Sequence, residues 1–127
     1  MSKGKVLIVD DDEVCRSFYS ELLSREGYSV NICKDGLQAI DEFKIDRPDV
    51  VLMDVRMPHI SGNKTLKIMK DIDSRVPIVM MSAYTTLEVV VNCMKLGAEN
   101  MLKKPSDIEK VIRVIDNAIK HSRIEDA

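Results

Sequence analysis

The 127-residue sequence has no tryptophan, two phenylalanines and three tyrosines. So few rings leave little with which to wall in a flat cofactor such as a flavin. It has only three cysteines, Cys15, Cys33 and Cys93, far apart and without CxxC spacing, which argues against a disulfide framework or a zinc site and for reduced, buried thiols. Neither sign of charge dominates: 19 bases face 21 acids for a net charge of −2, so no basic footprint marks a direct nucleic-acid contact. No apolar run nears the roughly 18 residues of a membrane span. The N-terminal MSKGKVLIVD runs from a short apolar stretch into acids with no small-residue cleavage site, unlike a signal peptide. Together these features predict a cytoplasmic protein without membrane contact.

What is present suits one globular domain over residues 1–127, with a core over about 5–121: apolar residues make up 45% and charged residues 31%. A chain of this length buries about two thirds of its unfolded surface. KVLIVD (5–10), DVVLMD (49–54) and PIVMMS (77–82) are short, continuous apolar runs, as expected of strands covered on both faces. YSVNIC (28–33) alternates, with Tyr28, Val30 and Ile32 on one side, and reads as an edge strand. NMLK (100–103) is a weaker fifth run, suited to the opposite edge.

Helical stripes lie between them: Val14, Phe18 and Leu22 before Gly27; Leu37, Ile40 and Phe43 after Asp35-Gly36; Leu66, Met69 and Ile72 before Pro77; and Leu87, Val90, Val91 and Met94 before Gly97. The last begins with Ser106-Asp107-Ile108-Glu109, which reads as a capping box, and continues through Val111, Ile112, Ile115 and Ile119. Five strand–helix units predict an α/β fold: a doubly wound, five-stranded parallel sheet of flavodoxin-like type, strand order 2-1-3-4-5.

That order decides where the polar residues meet. Ligands of open α/β sheets bind beyond the carboxyl ends of the strands, where the order reverses. Asp10 and Asp11 follow the first strand, Asp54 ends the third, Ser82 ends the fourth and Lys104 follows the fifth. Neighbouring strands lie about 4.8 Å apart, so Asp10, Asp11 and Asp54 must crowd together. Three such carboxylates suit a hard divalent cation, most plausibly Mg²⁺. A carboxylate, a cation, a hydroxyl and an ammonium can hold a phosphoryl group, with Asp54 as nucleophile forming an acyl phosphate. Asp12 and Glu13 read as first-turn acids of the first helix. The eight methionines, Met80-Met81 among them, read as core filler, and His59 and His121 as exposed.

LIVDDDE, VLMDVRMP, PIVMMSAY and LKKP stand in the order and rough spacing of the motifs of bacterial two-component response regulator receiver domains, and the chain resembles that family over about residues 5–121. The resemblance implies that Asp54 accepts phosphoryl from a histidine kinase or histidine phosphotransfer protein. It implies Mg²⁺ held by Asp11, Asp54 and the main-chain carbonyl of Arg56, with Asp10 helping through water. Ser82 and Lys104 would contact the phosphoryl oxygens, and the Lys104–Pro105 bond would be cis. Arg56 and Tyr84 fall at rim positions that tune hydrolysis of the acyl phosphate in such proteins.

The chain would be a signalling switch that catalyses its own phosphorylation and dephosphorylation, not an enzyme acting on other substrates. It would work alone or with an output domain or partner protein, and could dimerise through its fourth helix, fifth strand and fifth helix. Two positions depart from the family pattern: Met101 replaces a usual aromatic residue, and Ser106 replaces a common Phe after Lys-Pro. The expected conformational change therefore runs mainly through Ser82 and its loop.

Three rival readings fit less well. Asp10-x-Asp12 after an apolar strand resembles the nucleophile motif of haloacid-dehalogenase-type phosphatases, with Asp10 as nucleophile. That reading needs metal-binding acids after the lysine, but Asp54 precedes Ser82 and only a capped helix follows Lys104. A flavin protein of the same fold needs a Ser/Thr/Gly-rich loop where this sequence has acids. A degenerate, unphosphorylated interaction module is disfavoured because every chemical residue is in place.

Overall fold

The computed structural model describes the backbone of residues 2–126 and the side chains of residues 2–123. Ten elements alternate: β1 (Lys5–Val9), α1 (Glu13–Arg25), β2 (Ser29–Cys33), α2 (Gly36–Ile45), β3 (Val50–Asp54), α3 (Gly62–Ile72), β4 (Ile78–Ser82), α4 (Leu87–Lys95), β5 (Asn100–Lys103) and α5 (Ile108–Asp126). The strands form one parallel sheet in the order β2-β1-β3-β4-β5, as the sequence predicts. Two core layers cover its faces. Val6 and Ile8 point to the side packed by Tyr19 and Leu23 of α1 and by Val111 and Ile115 of α5. Leu7 and Val9 point to the side packed by Phe43, Leu66, Met69 and Cys93 of α2, α3 and α4. Phe43 and Leu52 are fully buried. Truncating either to alanine should cost about 2–5 kcal/mol.

Caps set where the helices start. Asp12, Asp35, Ser61 and Thr86 each accept a hydrogen bond from a backbone N–H in the first turn of their helix. Gly27, at φ 100, ends α1 in the left-handed region, and the following Tyr28 N–H donates to Leu23 O at 3.1 Å.

Several expected faces are corrected. Of the Val14–Phe18–Leu22 stripe of α1 only Leu22 packs against the core: Val14 is 77% and Phe18 47% exposed, while Tyr19 and Leu23 are buried. The α1 sequence carries a second apolar stripe one residue on, Cys15–Tyr19–Leu23, and the sheet selects that one. In α4, likewise, Leu87, Val91 and Met94 are exposed and Cys93 is buried. Leu37 of α2 and Ile108 of α5 are also exposed. In β2, Val30 packs against one core layer and Cys33 is buried in the other, while Ile32 is exposed; Tyr28, just before the strand, is buried in the same layer as Val30. The expected capping box of α5 is absent. Asp107 caps the helix, accepting from the Glu109 N–H at 3.1 Å. The Ser106 hydroxyl instead donates to Lys103 O. Cys33 and Cys93 are buried, but Cys15 is only half-buried, and all three are free thiols. His59 and His121 are exposed, with His121 Nδ1 3.2 Å from Glu99 Oε1. Among the described residues, no helix is long and apolar enough to cross a membrane.

Candidate functional site

The register of the sheet brings the acids together. Val9 pairs with Met53 and Asp54 pairs with Met81, so the residues following β1 meet the end of β3 at one rim. The four consecutive acids then separate by role. Asp10 stays in line with the strand, its N–H donating to Cys33 O at 3.1 Å, and its side chain is fully buried. Asp11 is exposed at the rim. Asp12 turns back to cap α1, accepting from Val14 N at 2.9 Å and Cys15 N at 3.3 Å, which holds its carboxyl below the usual range. Glu13 lies in the first helical turn, where the helix dipole favours it.

Asp10, Asp11 and Asp54 each offer an oxygen within 4.8 Å of the others. Lys104 closes the group. Its backbone N–H donates to Ser82 O at 2.9 Å, and its ammonium lies 2.5 Å from Asp10 Oδ2 and 3.0 Å from Asp54 Oδ2. Burial works against the charge on Lys104, but the hydrogen bonds to Asp10 and Asp54 outweigh it and raise its pKa well above the ordinary value. Burial pushes the Asp54 carboxyl above its ordinary range, opposed by Lys104 and reinforced by Asp10. Lys103 is exposed, so Lys104 is the lysine of the pair that enters the site.

The donor set fits a divalent cation. Three carboxylates and one ammonium leave an excess of negative charge that a divalent ion would offset, and all the ligand atoms are hard oxygens. Asp11 and Asp54 have oxygens facing the cleft. Asp10 is fully buried behind them, bonded to Lys104 and to the Asp12 N–H at 3.0 Å, and does not line the cleft, which suits it to an outer role.

A cleft of about 440 Å³ opens over the acids, lined by Asp11, Asp54, Arg56, Ser82, Tyr84 and Lys104, with Asp12, Cys15 and Ala83 completing it. Ser82 is buried at its floor. Its hydroxyl donates to Tyr84 O at 3.1 Å and accepts from Tyr84 N–H at 3.0 Å. Arg56 and Tyr84, both exposed, stack across the rim with the guanidinium carbon 4.4 Å from the ring centre. The Lys104–Pro105 peptide is cis, and Pro105 borders a neighbouring groove, not this cleft. Met101 does not line the cleft and packs half-buried against the core layer that α2, α3 and α4 cover.

Sequence reasoning missed Cys15 and Gly62. Cys15 stands one helical turn beyond Asp11, a spacing that could have placed it on the cleft wall. Gly62 opens α3, and its N–H donates to Val55 O at 2.8 Å. A Cβ there would lie 2.1 Å from Asp54 O, so only glycine lets the helix approach the backbone of Asp54. The intervening loop turns tightly at His59, φ 69, where Ile60 N–H donates to Pro58 O at 2.8 Å.

A parallel 2-1-3-4-5 sheet with an acidic, lysine-closed cleft at the carboxyl ends of its strands defines a receiver-type phosphoacceptor fold. The sequence pattern of the response regulator receiver domain matches residues 6–116, and the chain belongs to that family. It is 38% identical over 111 residues to sporulation initiation phosphotransferase F of Bacillus subtilis, a match covering 87% of this chain and 90% of that protein. It is 34% identical to the regulatory protein AtoC of Escherichia coli, over 91% of this chain but 25% of that protein. The chain thus spans about a quarter of the length of several longer regulators it matches. Among solved structures, chemotaxis protein CheY4 of Vibrio cholerae superposes with a TM-score of 0.87 at 30% identity, covering 93% of this chain and 98% of that one. NtrX of Brucella abortus gives 0.92 at 25% identity, over 98% of this chain and 28% of that one.

Proposed function

We propose that residues 1–127 act as one receiver domain that takes a phosphoryl group from a phosphohistidine onto Asp54. The observation that carries this reading is the Asp54 carboxylate set among Asp10 and Asp11 with the Lys104 ammonium 3.0 Å away. An Asp54 oxygen attacks phosphorus, the P–N bond to the donor imidazole breaks, and the ring, protonated on its other nitrogen, leaves as neutral imidazole with the electron pair of that bond. Lys104 offsets the charge on the equatorial oxygens and Ser82 donates to one of them. Asp11, Asp54 and the Arg56 carbonyl would hold Mg²⁺, with Asp10 in the outer shell. Such an ion supplies charge neutralisation as phosphoryl arrives. Hydrolysis at the same residue returns the domain to its resting form.

The haloacid-dehalogenase reading has no support in the site: Asp10 is fully buried and does not line the cleft, closed to an incoming phosphorus, whereas Asp54 lines it.

The donor is a histidine kinase or histidine phosphotransfer protein. The outward stripe of α1 offers it an apolar seat. Val14, Cys15, Phe18, Ala83, Lys104 and Pro105 line a groove of about 420 Å³ that shares Cys15, Ala83 and Lys104 with the phosphoacceptor cleft. A helix seated there would carry its phosphohistidine to Asp54. The α4–β5–α5 surface, with Leu87, Val91 and Met94 exposed, is where we assign the output of the switch, to a second copy or an output partner.

The test is incubation with phosphoramidate, a small P–N donor, with and without Mg²⁺, followed by intact mass and mapping. One phosphoryl should appear on Asp54 and vanish in Asp54→Asn or with chelator; label persisting in either case overturns the reading. Phe18→Asp should leave this labelling unchanged while abolishing transfer from the phosphorylated kinase.

A further inference from the structure

Two side chains at the mouth of the cleft have no part in the transfer step. Arg56 lies two residues after Asp54 and Tyr84 two after Ser82, and they stack at 4.4 Å although 28 residues separate them in the chain. At a solvent-exposed site such a pair is held weakly unless its backbone is fixed. Here it is fixed at both partners. The Arg56 N–H donates to Asp54 Oδ1 at 3.3 Å, and both backbone polar groups of Tyr84 bond to the Ser82 hydroxyl.

That hydroxyl carries a single proton. In this structure the proton goes to Tyr84 O, so Ser82 cannot at the same time donate to a phosphoryl oxygen on Asp54. To do so it must release Tyr84 O, one of the two bonds that fix the backbone of the residue whose ring lies against Arg56.

We propose that the Arg56–Tyr84 stack is a latch on the resting conformation, competing with the phosphoryl group for the one proton of Ser82. Arg56 and Tyr84 are thus positioning residues that set how readily the domain switches. This rests on Asp54 being the phosphoacceptor. It differs from a simple screen over the cleft, because it couples the two side chains to each other and to Ser82. Breaking the stack removes a contact that only the resting state makes, so ligands of the switched state should bind more tightly.

The probe is beryllofluoride with Mg²⁺, a mimic of the phosphoryl group on Asp54, titrated into wild type, Arg56→Met, Tyr84→Leu, the double variant and Tyr84→Phe. Each single disruption should tighten binding about two- to five-fold, the range expected for an exposed cation–π contact. The double variant should gain no more than either single one, and Tyr84→Phe, which keeps the ring, should match wild type. Independently, the Arg56 side-chain N–H resonance should show a ring-current shift that disappears on saturation with the probe. Multiplying effects in the double variant, unchanged affinities, or a ring-current shift that survives saturation would each overturn the latch. Absence of Asp54-dependent binding in wild type would instead overturn the phosphoacceptor reading beneath it.

Discussion

At the amino ends of the strands, acids and bases are matched; at the carboxyl ends, three clustered acids have one lysine among them, bonded to two. The lower rim pairs Lys5 with Asp46 at 2.7 Å, Lys3 with Asp116 at 3.5 Å, and Asp73 with both Arg47 at 3.3 Å and Arg75 at 3.1 Å. Most of these groups are substantially solvated, and such pairs contribute about 0–1 kcal/mol each. The upper rim buries Asp10 completely and leaves Lys104 and Asp54 13% exposed. The lower rim is electrostatically satisfied and chemically idle. The upper rim carries a charge imbalance that folding alone does not relieve, and that is the imbalance a cation and a phosphoryl group can use.

The largest expected effect tests whether the shared lysine carries this contrast. Lys104→Met leaves Asp10 buried without its cation and should cost about 3–5 kcal/mol at neutral pH in chelator, read by urea unfolding. A loss near that of a surface pair would erase the distinction between the rims. Next, Mg²⁺ should stabilise wild type by about 1.4 kcal/mol at ten times its dissociation constant. Asp11→Asn should remove that gain in a thermal melt, whereas Asp46→Asn should leave it intact.

The two rims should also respond to pH with opposite sign. Burial raises the Asp54 pKa above its unfolded value, so its ionisation destabilises the fold: the penalty is absent below about 3.8 and complete once pH passes the folded value. Asp54→Asn should therefore be more stable than wild type at neutral pH without Mg²⁺, with the difference closing on acidification. Hydrogen bonding to Arg75 lowers the Asp73 pKa, so its stabilisation is present above about 3.8 and lost as pH falls through the folded value. Asp73→Asn should be the less stable protein at neutral pH, its deficit also closing in acid. Melting curves from pH 3 to 7 compare them, and differences of the same sign would remove the contrast. Smallest is Lys5→Met, expected to cost less than any of the preceding changes and less still in high salt, by chemical unfolding.

Three strands were legible because covered parallel strands leave continuous apolar runs, and the alternating 28–33 and weaker 100–103 stretches also coincide with strands to within a residue. Once their order is known, Asp10, Asp11, Asp54 and Lys104 converge by topology alone. Helix faces were less legible. In α1, apolar residues occupy two adjacent stripes, 14–18–22 and 15–19–23, with the same period; only the sheet distinguishes core from surface. In α4, the regular stripe is the one left outside. The capping box failed because Ser106 and Asp107 both suit a cap, and Ser106 is engaged by Lys103 O. Gly62 and the Arg56–Tyr84 stack were hidden for another reason: each is a contact between segments, and nothing in local composition announces it.

Gly62 has a consequence for how such a domain can vary. By admitting α3 directly against the Asp54 carbonyl, it anchors the peptide that follows from below, while Arg56 and His59 look out from above. The Arg56 and His59 side chains can thus be exchanged without moving the Asp54 backbone. On the proposed reading, surface changes alone would retime such a domain, slower or faster, with tempo inherited separately from chemistry.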